Sequence, residues 1–152
     1  MQNDLAARIN PFVPYAGGLP LALGVCLILS PGLLPVAPVI VERAVLGYGA
    51  LLLSFSSGVR RGVQLGDRPD KDLISRLLTA VGPLLGLVAL ILPFGFGLAL
   101  LIVGFAGQGA WDAWSGQRKT LPEHYAGARA GTTLTLCILL MLILLSYAAA
   151  NG

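Results

Sequence analysis

Four arginines, one aspartate and one glutamine are the residues of this chain best placed to do chemistry: Arg60, Arg61, Arg76 and Arg129, with Asp112 and Gln108. Gln108 and Asp112 stand four positions apart, so on a helix they share one face. Guanidinium groups gathered around that face would offer planar donor forks, which suit a phosphate or an anionic lipid headgroup. The same groups could serve instead as a collar of ion pairs and snorkelled side chains that fixes helix ends. The collar is the preferred reading, and in either case Asp112 is expected to pair with Arg129.

Other reactive residue types point to less. Glu42 and Arg43 are adjacent, and neighbours on a helix project about 100° apart, so they make a poor mutual pair. They read as anchors at the outer interface, or as a contact to a partner subunit, while Trp111 and Trp114 read as anchors of an aromatic belt at the inner one. The single histidine, His124, stands in a charged segment with no Cys, His or carboxylate cluster at the spacing of metal ligands. Cys26 and Cys137 sit inside apolar blocks and form no CxxC pair. At 1.5 Å per residue their expected depths differ by roughly 10 Å, which is too far for a disulfide, so none is expected between them. An enzyme needs a nucleophile with its base, paired carboxylates or a metal. This chain presents none of these, so no catalysis, cofactor or metal is expected.

The elements that must position these residues follow from composition. Of 152 residues, 56% are hydrophobic and only 11% charged, with a mean hydropathy of +0.82; soluble domains carry about 25% charged residues. The apolar residues fall in long charge-free blocks, the pattern of helices whose whole circumference meets lipid or other helices. The expectation is an all-α polytopic bundle, a single membrane domain over residues 1–152. About five transmembrane helices would lie near 12–29, 44–59, 73–92, 94–110 and 131–148, the second helix starting either near Val36 or, as preferred for its membrane-embedded part, after Arg43, with polar loops at 60–72 and 115–129 and Asp72 capping the third span. The first block lacks a convincing cleavage site and reads as a retained helix.

A net charge of +3 and a pI near 9.2 would suggest nucleic acid in a soluble protein; here the charge reads as topology, and no nucleic acid is expected. Placing the N-terminus in the cytoplasm puts Arg8, Arg60, Arg61, Arg68, Lys71, Arg76, Arg118, Lys119 and Arg129 on that side, leaving only Arg43 outside. The C-terminus is then outside. Gly82-xxx-Gly86 and Ala106-xxx-Ala110 permit close backbone approach, and are expected to pack the third span on the fourth, with an inter-subunit face as the alternative.

The run Tyr48-Gly49-Ala50-Leu51-Leu52-Leu53-Ser54-Phe55-Ser56-Ser57-Gly58-Val59 resembles the domain of unknown function 3429 family, which includes transmembrane protein 69 of animals. A second match comprises Asp112, then Leu121-Pro122 with Tyr125, Arg129 and Thr132-Thr133. The likeness extends from the first span to the fifth. One departure is that the family's span-two motif continues into a His-Trp pair, where this chain has Arg60-Arg61. The resemblance implies a bacterial inner-membrane or mitochondrial setting and no particular activity.

Elimination leaves a multi-pass protein of the bacterial inner membrane whose product is its surface. The expected role is an accessory or assembly subunit of a larger inner-membrane complex, respiratory or photosynthetic, with membrane lipids and other integral subunits as partners. The rival is a small transporter or anionic-lipid-binding protein that uses the arginine rim. Against the transporter, the last three spans carry no ionisable residue at mid-depth.

Overall fold

The computed structural model describes the backbone at residues 13–30, 32–33, 35–67, 73–117 and 123–151, and side chains at 15–30, 32–33, 35–60, 62, 80–114 and 129–150. The described residues contain no strand. A 3-10 turn, Val13–Gly18, leads into five α-helices: α1 Leu19–Leu29, α2 Pro38–Asp67, α3 Leu73–Ile91, α4 Phe94–Gln117 and α5 Glu123–Asn151. Three segments are long and apolar enough to cross a membrane, Pro38–Arg60, Phe94–Trp114 and Arg129–Ala150, and two shorter apolar helices cover Tyr15–Leu29 and Ala80–Ile91. The outward faces agree with a lipid solvent: Leu51, Phe55, Ile91 and Phe96 are 68–78% exposed, a cost in water and none in hydrocarbon.

Local chemistry explains where the helices begin and end. Pro20 has no N–H to return to residue 16, so the expected first span opens as a 3-10 turn before α1 takes over. Ser30 N–H caps α1 on Cys26 O at 2.9 Å. The helix α2 differs most from expectation. It starts at Pro38, ahead of the charged pair Glu42-Arg43, and continues through Arg60-Arg61 to Asp67, well into the stretch read as a loop. Arginine is a good helix former, and nothing breaks the ladder until Pro69, which disfavours helix at the residue before it. In the same way α4 extends to Gln117 and α5 begins at Glu123, so the second expected loop also contracts. Residues 68–72, with Asp72 and its expected cap, lie outside the described residues, as do 118–122.

The helices alternate in direction, as the close approaches at glycine record. Gly82 meets Ser57 and Gly86 meets Ala50, so α3 runs against α2; Gly97 meets Ala89 and Gly104 meets Leu85, so α4 runs against α3. Gly109 meets Thr133 and Gly95 meets Tyr147, so α5 runs against α4. Helix α1 returns along α5, with Gly18 against Thr135 and Leu139 and Gly24 against Ile143. Two hairpins, α2–α3 and α4–α5, therefore lie side by side, and α1 is wedged between α2 and α5.

At the centre α2 and α4 run parallel, meeting in layers one helical turn apart. A Cβ added at Gly97 would stand 2.9 Å from Leu46, one at Gly49 2.7 Å from Leu101, and one at Gly104 2.8 Å from Leu53. Knob and notch thus change sides from layer to layer, and Leu53, Leu98, Leu101 and Leu140 are wholly buried around them. Between lipid-bathed helices there is no transfer energy to gain, so dispersion contact of this kind holds the pair.

This pairing corrects one expectation. Gly82 and Gly86 are packed, but against Ser57 and Ala50 of α2. Ala106 and Ala110 of α4 are exposed. The glycine faces of α3 and the alanine face of α4 point different ways because α4 turns its own glycines, Gly97 and Gly104, toward α2 and α3.

Candidate functional site

One turn further along the α2–α4 interface the apolar layers give way to polar ones. The next layer is Ser57 with Gln108, and the last is Arg60 with Asp112. Ser57 Oγ donates to Leu53 O at 3.2 Å and accepts from Gln108 Nε2. The layer fits because residue 82 is glycine: a Cβ there would lie 1.9 Å from Ser57 Oγ and 2.9 Å from Gln108 Nε2.

Asp112 is the hub. Its side chain is 2% exposed; Oδ1 accepts from Arg60, whose side chain is 8% exposed, and Oδ2 accepts from Arg129 Nε at 3.3 Å. The rest of the Arg129 fork reaches α2, with Nη1 donating to Ser56 Oγ at 3.3 Å and Nη2 to Ser56 O at 3.4 Å. The guanidinium of Arg60 lies over the Trp111 ring, 5.5 Å from its centroid, within cation–π range. Trp111 in turn contacts Trp114, with ring centroids 4.9 Å apart. One carboxylate thus ties together the ends of three helices, α2, α4 and α5. Burying such charges is tolerated only with this degree of pairing.

The expected Asp112–Arg129 contact is present. Arg60 and Gln108 join it at the same end of the bundle, with Trp111 and the half-exposed Trp114 at its edge. The side chains of Arg61, Arg76 and His124 lie outside the described residues. Glu42 and Arg43 are separate from this cluster: they lie on α2 eighteen and seventeen residues before Arg60, about 27 Å away at 1.5 Å per residue, with Glu42 half-buried and Arg43 exposed. Cys26 on α1 and Cys137 on α5 are free thiols.

Sequence reasoning missed three participants. Ser56 and Ser57 read there only as part of a family motif, although adjacent hydroxyls three and four residues before an arginine on one helix are a signal that the polar face starts earlier. Gly82 read as a helix-packing residue, and nothing local to it discloses that it makes room for a hydrogen bond between two other helices. Among the described residues no group of His, Cys, Asp and Glu is arranged to hold a metal ion.

A family model described as a protein of unknown function (DUF3429) matches residues 8–145, nearly the whole chain. The resemblance read at Tyr48–Val59 and from Asp112 to Thr133 is therefore sound. No curated protein and no solved structure matches.

Proposed function

The chain belongs to the DUF3429 family, whose function is unknown, and from that premise we propose that it is an accessory or assembly subunit of a larger inner-membrane complex of the respiratory or photosynthetic kind. On this reading it is not an enzyme, binds no cofactor and no nucleic acid, and has membrane lipids and other integral subunits as its partners. It crosses the bacterial inner membrane five times, with its N-terminus in the cytoplasm and its C-terminus outside.

The observation that carries the reading is the inward turn of Arg60 and Arg129 onto Asp112. These arginines hold α2, α4 and α5 to one another, so the rim has the makings of a structural clasp. The pairing also supports the orientation: it sets three helices at one level and so gathers Arg60 and Arg129 at one membrane face, as cytoplasmic positive charge requires. For a partner helix the chain offers Ala106, Gly107 and Ala110 on α4, exposed and small.

A carrier or anionic-lipid-binding protein working through the rim has less support. The α2–α4 interface at mid-depth is filled by the Leu46–Gly97, Gly49–Leu101 and Leu53–Gly104 contacts, where a carrier would want polar groups or broken helices. Mild-detergent extraction, native gel separation and mass spectrometry of the co-migrating chains decide between them. The subunit reading expects fixed partners in constant ratio; migration alone, with transport in vesicles of the purified chain, would replace it by the carrier.

A further inference from the structure

Gln108 and Trp111 stand three positions apart on α4, close enough to share a face. Each leaves one buried polar atom without a partner among the described residues, Gln108 Oε1 and Trp111 Nε1. Ser57 gives its own proton to Leu53 O, so it presents a lone pair to Gln108, and that calls for Nε2 on the Ser57 side and Oε1 on the other. What remains is one acceptor that only accepts and one indole N–H that only donates. Buried groups of this kind are costly unless bonded.

The two atoms are complementary to each other yet not bonded together, so a single atom that accepts once and donates once would satisfy both. A cation offers nothing to the indole N–H, and a deprotonated anion offers nothing to the amide oxygen; a neutral hydroxyl serves both. The membrane-crossing segment of α4 ends at Trp114, one turn beyond, which puts the pair at the boundary where water and headgroups are both within reach. Internal waters are typically held by polar groups that the protein has left over. We propose that a hydroxyl oxygen, from water or from a glycerol-type lipid headgroup, bridges Trp111 Nε1 and Gln108 Oε1 beneath the Arg60–Asp112 pair.

The test uses the full chain carrying Trp114→Phe, which leaves one indole, in nanodiscs of phosphatidylcholine or of phosphatidylglycerol, read by ultraviolet resonance Raman of the indole N–H. A hydrogen-bonded indole in both lipids supports the bridge with water as its source. A bonded indole in phosphatidylglycerol alone supports it with the headgroup hydroxyl as its source. An unbonded indole in both overturns the proposal. Gln108→Met should return the band to its unbonded position and Gln108→Glu, which keeps an acceptor oxygen, should not. A band unmoved by Gln108→Met means that Trp111 bonds elsewhere, and the bridge is wrong.

Discussion

Arg60 and Asp112, 52 residues apart in sequence, form a buried ion pair that closes the polar end of the α2–α4 interface. Arg129 arrives from α5 on the second carboxylate oxygen, so α5 is bound to both helices of the central pair through one side chain.

Removing the hub should therefore be worse than removing either spoke. Asp112→Ala leaves the buried Arg60 and the half-buried Arg129 with no carboxylate between them, and breaking a buried pair costs about 3–5 kcal/mol. Arg129→Lys keeps the charge but loses the fork that spans Asp112 and Ser56, for about 1–3 kcal/mol. Thermal unfolding in mild detergent, followed by circular dichroism, should rank Asp112→Ala well below Arg129→Lys. Equal melting temperatures would mean that the clasp does not hold the bundle.

Glycines in this chain should divide sharply by what faces them. Gly82→Ala drives a methyl group into Ser57 and Gln108, an overpacking expected to cost about 1–3 kcal/mol. Gly58→Ala, where a Cβ would meet nothing within 4 Å, should gain up to about 1 kcal/mol from helix propensity. The same melting experiment checks both, and a neutral Gly82→Ala would show that the Ser57–Gln108 layer is not close-packed.

Knob-and-notch packing makes a prediction about pairs. Gly49→Ala sets a methyl 2.7 Å from Leu101 Cδ1 and should destabilise, while Leu101→Val withdraws that methyl. The double variant should recover part of the loss, with a coupling of about 0.5–3 kcal/mol. Strict additivity of the two single changes would place residues 49 and 101 out of contact and would undo the parallel α2–α4 pairing.

Topology can be read with an impermeant maleimide after Cys26 and Cys137 are replaced by alanine. Ser30 lies just past α1 and Gly62 follows Arg60 on α2, and both are exposed. Ser30→Cys should label in intact spheroplasts and Gly62→Cys only in inverted vesicles. The reverse pattern would invert the orientation, and labelling of both from one side would remove a span.

Part of this was legible without coordinates. Charge-free blocks of a length that crosses a membrane announce helices in lipid, and the turn residues and prolines divide them. The pairing of Asp112 with Arg129 was also legible, since polar residues at the facing ends of consecutive helices have few other places to go.

The sequence by itself thus determined the solvent, the helical class, the family and the two residues that meet across the α4–α5 connection. Only the tertiary structure decided that α2 and α4 are partners, that Arg60 turns inward rather than out to a headgroup, and that Gly82 serves a hydrogen bond belonging to two other helices. The reason is physical. Among helices that are apolar all round, hydrophobicity gives no direction, and partners are chosen by the fit of leucine knobs into glycine notches on segments some fifty residues apart. That fit is a property of two surfaces together, which neither segment states alone.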